Sequence, residues 1–220
     1  MQNKVAIFDF DGTLFFDTFN LNKYAMNKAL EKHNLHALSE GELIQTVGDT
    51  LSDIVKRLLK TDEAQVVNDF CKQILLYAVE YINEYASFKP AVIEMIKKLY
   101  ANRIKVCICS NGAKQYIYAI LKRFNLVEYF ETIWYAKTGI SKSDAVKLIK
   151  QKYNVNKCFM IGDREEDILA GKANDCITIG IVGDYDDFSV KGAENFDISD
   201  ADYLTISHKN VLTIILNEYK

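Results

Sequence analysis

Proline is almost absent from this sequence. One Pro and 10 Gly in 220 residues exclude collagen-like, proline-rich and low-complexity classes. An excess of charge of one sign is also missing: 27 Lys and Arg face 30 Asp and Glu, a net charge of −3, with a pI near 5.7. Such a balance gives no dominant pull toward nucleic acid or an anionic membrane, and neither is expected as a partner. No apolar run approaches the roughly 18 residues of a membrane span. The short run Val5 to Phe8 is too brief for the core of a signal peptide. The five Cys include no C-x-x-C pair. Cys107 and Cys109, within the apolar run from Ile104, are expected to share one strand face as small hydrophobes rather than to hold zinc. Reduced, buried thiols point to the cytoplasm. The chain is 49% hydrophobic, enough for a sizeable core in one domain, or one domain with a smaller insert.

The apolar pattern changes character along the chain. Val5-Ala6-Ile7-Phe8 has the signature of a strand buried on both faces. From about Asp17 to Ser87 the spacing is helical instead, with stripes such as Ile54, Val55, Leu58 and Leu59, then Val67, Phe70, Ile74, Tyr77, Tyr81 and Tyr85. From Pro90 onward, strands alternate with helices. Strands are expected at Ile104–Cys109, Thr132–Tyr135, Cys158–Ile161 and Cys176–Ile181, with Ala201–Leu204 as an edge strand and a last helix at Val211–Leu216. Such alternation implies an α/β fold, a Rossmann-like parallel sheet with helices on both faces. The helical block then reads as an inserted α-helical cap, which sets the expected domains at 1–16 plus 88–220 for the core and 17–87 for the cap.

Ligands of open parallel sheets bind beyond the carboxyl ends of the strands, so the residues just after each strand carry the functional signal. Asp9-Phe10-Asp11-Gly12-Thr13 follows the first strand, Ser110-Asn111-Gly112 the second, and Gly162-Asp163 the fourth, while Lys142 lies after the third. Burying several carboxylates together requires protonation or a cation, because two unit charges about 4 Å apart repel by about 4 kcal/mol at an effective dielectric of 20. An all-oxygen cluster of Asp9, Asp11 and Asp163 suits Mg²⁺. Asp167, four residues beyond Asp163, either supports that metal or holds Lys142. With the ion bound, Ser110, Lys142 and the backbone N–H groups around Asn111 and Gly112 supply an anion cradle, and a phosphoryl group fits these requirements. The chemistry that fits has two steps: Asp9 attacks phosphorus to form an aspartyl phosphate, and Asp11 protonates the leaving oxygen, then activates water.

These motifs resemble those of the haloacid dehalogenase-like hydrolase superfamily, in its subclass with a helical cap after the first motif. The resemblance spans the chain: motif one is Asp9 to Thr13, motif two Ser110-Asn111-Gly112, motif three Lys142, and motif four Gly162-Asp163-Arg164-Glu165-Glu166-Asp167. It implies that Asp9 is nucleophile and metal ligand, and Asp11 acid/base and ligand through its carbonyl. Asp163 completes the ligands with Asp167 in or beside the shell, while Thr13, Ser110, Asn111, Gly112 and Lys142 attend the phosphoryl group. Within the superfamily the sequence is similar to phosphoglycolate phosphatase-like enzymes, and a small phosphorylated metabolite is the implied substrate. Two departures from that branch stand out: Ser143 stands where many relatives have Pro, and Asn174-Asp175 where a small residue and Gly are common.

Blander readings exist for single residues. Ser-Asn-Gly alone is a common turn, a lone Lys is usually solvated, and Lys137 competes with Lys142 for the same role. His33, His36 and His208 form no catalytic set and read as surface or capping groups. The tyrosine stripe reads as helix packing, and Asp184, Asp186 and Asp187 as a solvated turn. The rival activities are a pyrophosphatase, a β-phosphoglucomutase-like phosphomutase, a phosphonate hydrolase using Lys23 or Lys28, and a catalytically silent binding module. Thr46 to Leu51 carries no Arg to clamp a second phosphate, which counts against the mutase. No signal distinguishes a monomer from a homodimer.

Overall fold

The computed structural model describes residues 3–46, 49–135, 140–182 and 197–219. Val47, Gly48, Lys137 and the acidic positions Asp184, Asp186 and Asp187 therefore lie outside the described residues. The chain separates into two compact units, Met1–Phe16 with Phe88–Lys220, and Asp17–Ser87.

The first unit is built on a parallel six-stranded sheet. Its strands are β1 (Lys4–Phe8), β2 (Ile104–Cys109), β3 (Phe130–Trp134), β4 (Cys158–Gly162), β5 (Ile177–Ile181) and β6 (Tyr203–Thr205), in the order β3-β2-β1-β4-β5-β6. The order reverses at β1, which pairs with β2 on one side and β4 on the other. A crevice opens at such a reversal, where the loops after the two flanking strands diverge. Five helices of this unit were legible from spacing: α5 (Pro90–Ala101), α6 (Lys114–Arg123), α7 (Lys142–Tyr153), α8 (Glu165–Lys172) and α9 (His208–Glu218). α5 opens on Pro90, whose missing N–H and fixed φ suit the first helical turn.

Both faces of the sheet are covered, as continuous apolar strands require. Val5 and Ile7 join Cys107, Cys109, Cys158 and Met160 in a cluster with Val146, Ile149 and Tyr153 of α7 and Ala170 of α8. The alternate residues Ala6 and Phe8 are equally enclosed on the other side. Each Val, Ile or Phe so buried contributes about 1.5–3 kcal/mol. Cys107 and Cys109 do share one face, and burial pushes both thiols up to about 12. Cys158 and Cys176 sit side by side as free thiols with Sγ atoms 2.8 Å apart. The third strand begins two residues earlier than the spacing predicts and stops before Tyr135, and the edge strand β6 runs to Thr205 rather than starting at Ala201.

The second unit is entirely helical in its described residues: α1 (Thr18–Lys32), α2 (Glu40–Ile44), α3 (Leu51–Leu59) and α4 (Ala64–Glu84). Leu21, Ala25 and Ala29 of α1 and Val67, Phe70, Ile74, Ala78 and Ile82 of α4 supply its buried stripes. The Tyr24, Tyr81 and Tyr85 rings pack mutually, with centroids 5.4–5.7 Å apart. Among the described residues no helix is long and apolar enough to cross a membrane.

Candidate active site

Four chain segments converge beyond the carboxyl ends of β1 and β4. Asp9 N still bonds Ile161 O at 2.8 Å, so Asp9 continues the sheet by one residue. The chain then turns sharply: Gly12 has φ +78°, and a Cβ on it would meet Asp163 Oδ2 at 2.3 Å. Glycine is thus required twice over, by backbone conformation and by the carboxylate against it. Thr13 is buried, donates from Oγ1 to Asp163 Oδ1 at 2.9 Å, and accepts the His208 Nε2–H on its carbonyl at 2.8 Å.

Lys142 enters from another direction. Ser141 caps α7 in a capping box with Asp144, which fixes Lys142 as the first helical residue. An ammonium at a helix N-terminus opposes the helix dipole, so acidic partners must outweigh it. Nζ lies 3.0 Å from Asp9 Oδ1 and 2.6 Å from Asp167 Oδ1, with Lys142, Asp9 and Asp167 only 5%, 4% and 0% exposed. Burial alone would lower the Lys142 pKa, but the charges and hydrogen bonds of Asp9 and Asp167 hold it well above its usual value. Among the described residues no other Lys or Arg is buried. Asp167 holds Lys142, one of the two roles expected of it, and also lies within the acidic cluster. Its Oδ2 also accepts from Arg164 N at 3.1 Å at the start of α8, where the dipole favours negative charge.

The carboxylates of Asp9, Asp163 and Asp167 each place an oxygen within 4.8 Å of the others. Burial first, then the charges of Asp9 and Asp167, push the Asp163 carboxyl up to about 8. Burial also raises Asp167, to about 7, against the opposing pull of Lys142. With all three carboxylates ionised, the ammonium of Lys142 leaves two negative charges, which the half-exposed Arg164 near Asp163 relieves in part. A hard divalent cation fits this all-oxygen donor set and its charge. The Asp11 side chain is not in that cluster: Oδ1 accepts the Tyr116 hydroxyl at 2.5 Å.

Ser110 is buried, its N bonds Trp134 O at 3.1 Å, and its Oγ accepts from Gly112 N at 3.0 Å. Asn111 is exposed and donates from Nδ2 to Glu166 Oε2 at 3.0 Å, tying motif two to α8. All the sequence-selected residues therefore lie in the loops after β1, β2 and β4 or in the first turns of α7 and α8. Thr13 is as fully buried as Asp167, its hydroxyl engaged on Asp163.

Residues 6–181 match the sequence profile of the haloacid dehalogenase-like hydrolases. The chain belongs to this family. It is 28% identical over 193 residues to a phosphoglycolate phosphatase of Agrobacterium fabrum, spanning 83% of this chain and 82% of the relative. It is 24% identical to pyrophosphatase PpaX of Halalkalibacterium halodurans over 98% of both chains. The crystal structure of a predicted phosphoglycolate phosphatase from Haemophilus somnus shares the fold, with a TM-score of 0.78 and 21% identity over 97% of this chain and 98% of that one. The hydrolase fold and the phosphoglycolate phosphatase-like resemblance expected from the motifs thus hold.

Two residues escaped the sequence reading. Tyr116 carries no motif of its own, although it sits four residues after Gly112 on the first turn of α6. His208, expected at the surface or at a cap, is instead buried beneath Thr13 and packs edge-on to Phe16. In the helical unit, Lys23 pairs with Glu40 at 2.8 Å and Lys28 with Glu80. The Glu80 hydrogen bond raises the Lys28 pKa, the opposite of what an amine nucleophile needs. Arg57 of α3 pairs with Asp49 at 2.8 Å, so the segment Thr46 to Leu51, itself without Arg, has one beside it.

Proposed function

We propose that this protein is a Mg²⁺-dependent phosphatase that hydrolyses small phosphomonoesters through an aspartyl phosphate, with phosphoglycolate-like esters as the first substrates to test. One observation carries the reading: two carboxylates two residues apart occupy opposite environments. Asp9 is buried against an ammonium, whereas Asp11 turns to a neutral hydroxyl. Environments that separate two carboxylates in this way mark a nucleophile and an acid/base. Asp9 attacks phosphorus, and the leaving oxygen takes its proton from Asp11. Asp11 then accepts a proton from the water that releases phosphate. Lys142 offsets charge on the phosphoryl oxygens, and the Ser110 hydroxyl with the N–H groups of Asn111 and Gly112 orients them.

Asp9, Asp163 and the Asp11 carbonyl would hold Mg²⁺, with Asp167 from its position on Lys142 or directly. When bound, the ion neutralises charge on the transferring group. Thr13 orients Asp163 through its hydroxyl. We assign the choice of leaving group to the helical unit 17–87, which carries none of the four motifs.

A second reading, pyrophosphatase, draws on the similarity to PpaX along nearly the whole chain. The test is a screen of phosphoglycolate, sugar phosphates, nucleoside monophosphates and pyrophosphate, with Mg²⁺ and with EDTA, ranked by kcat/KM. Acid quenching should trap phosphate on Asp9, and Asp9→Asn should abolish both trapping and turnover. Turnover by Asp9→Asn at the wild-type rate would overturn the mechanism, and a preference for pyrophosphate would select the second reading.

A further inference from the structure

The geometry points to Tyr116 as a positioning residue for the proton that Asp11 delivers to the leaving group. Its hydroxyl donates to Asp11 Oδ1 at 2.5 Å across 105 residues of sequence. Its ring is nearly enclosed, at 8% exposure. It stands edge-on to Phe10, with centroids 6.0 Å apart at 89°, and to Phe15, 6.4 Å apart at 77°. Phe10 is the residue between Asp9 and Asp11, so the motif that supplies both carboxylates also builds the wall that orients the ring. A tyrosine has only two side-chain torsions, and contacts on two sides fix them. The hydroxyl is thereby presented to one carboxylate oxygen.

That choice of oxygen has a chemical consequence. A carboxyl group carries its proton on one of two oxygens. A donor committed to Oδ1 occupies that oxygen as an acceptor, so the Asp11 proton resides on Oδ2. Once the proton has gone to the leaving oxygen, the same hydroxyl remains as a donor to the anion and keeps Oδ2 in place to accept the proton of water. Tyr116 lies on α6, one turn beyond the Ser110-Asn111-Gly112 loop, so the acid/base group is held by the element that carries the phosphoryl-binding loop. The assignment rests on the reading of Asp11 as acid/base.

Leaving groups separate this role from a merely structural one. An alkoxide needs a proton to depart, whereas 4-nitrophenolate leaves without one. The measurement compares kcat/KM for phosphoglycolate and for 4-nitrophenyl phosphate in wild type, Tyr116→Phe, Asp11→Asn and the control Tyr118→Phe, with melting temperatures alongside. Tyr116→Phe keeps the ring and its contacts. It should lower kcat/KM about tenfold on phosphoglycolate and by less than about twofold on 4-nitrophenyl phosphate, a fraction of the 10²- to 10⁴-fold span of general acid catalysis. Tyr118→Phe should leave both unchanged. Equal losses of Tyr116→Phe on the two esters, or no loss on either, overturn the assignment while a leaving-group-dependent loss in Asp11→Asn keeps the acid/base reading. If Asp11→Asn shows no such dependence, or wild type hydrolyses neither ester, the acid/base reading falls and the Tyr116 assignment with it.

Discussion

Asn174 donates its side-chain amide to both the carbonyl and the hydroxyl of Ser143, at 3.0 and 3.1 Å. These are two of the positions at which the sequence departs from the phosphoglycolate phosphatase-like pattern, and they touch one another. Ser143 brings a hydroxyl that a proline would lack, and Asn174 reaches over from just past the end of α8 to bond it together with the Ser143 carbonyl. The same amide also donates to Ala170 O at 2.9 Å. The bond joins the two helices whose first turns carry Lys142 and Asp167. Asn174→Ala should lower stability by about 1–2 kcal/mol, the usual net worth of part-buried hydrogen bonds, in urea unfolding. Turnover below the melting transition should change by less than about twofold, and a larger loss of activity than of stability would contradict this.

Asp175 adopts φ +51°, in the left-handed region where an L residue is strained. Asp175→Gly should therefore relieve strain and stabilise by up to about 1 kcal/mol, less the greater chain entropy of glycine in the unfolded state. Chemical denaturation of the single variant decides the sign, and a loss above about 1 kcal/mol would show that the Asp175 side chain is needed.

Gly162 closes β4 under tighter constraint. A Cβ there would lie 2.1 Å from Asp167 Oδ2, so Gly162→Ala must displace the carboxylate that grips Lys142. Activity should fall at least about 10²-fold, on the scale of losing an electrostatic donor to the transition state. The folded structure should persist by circular dichroism. Wild-type kcat in this variant would show that Asp167 need not sit where it does.

The four loops were legible because each follows an apolar strand, and a parallel sheet delivers the ends of its strands to one rim. Asp9 and Asp163 meet for that reason, and Lys142 joins them from the capped start of α7. The helical stripes of residues 17–87 were legible from period. Tyr116 and His208 were not, because each acts through one contact across 105 or 195 residues, and nothing in local pattern encodes such a partner. The Ser143–Asn174 bond was invisible for a related reason: each residue alone reads only as a departure, and their compensation exists only once α7 and α8 are packed.

His208 makes the stability of the first unit dependent on pH. Burial lowers its pKa below the ordinary histidine value of 6.5, and nearby Lys89 adds to this, against the favourable bond to the Thr13 carbonyl. Between 6.5 and the lowered folded value, the unfolded chain binds a proton that the folded chain refuses. Stability from this residue is therefore complete above pH 6.5 and declines as pH falls below it. Unfolding free energies of wild type and His208→Gln, measured from pH 5 to 8, should differ most at the neutral end and converge toward acid. Parallel curves would mean that His208 titrates normally.

Removal of metal gives the sharpest test of the acidic cluster. Any ligand that binds only the folded chain stabilises it by an amount set by its saturation, about 2.7 kcal/mol at one hundred times Kd. Mg²⁺ should raise the wild-type melting temperature, and EDTA should reverse the rise. Asp163→Asn removes a carboxylate that burial and the charges of Asp9 and Asp167 already discourage from ionising. In EDTA this variant should thus be no less stable than wild type, whereas in Mg²⁺ it should lose the metal-induced rise. The order of stabilities should invert between the two buffers. If both proteins melt alike with and without Mg²⁺, the three carboxylates do not form a cation site, and their proximity needs another cause.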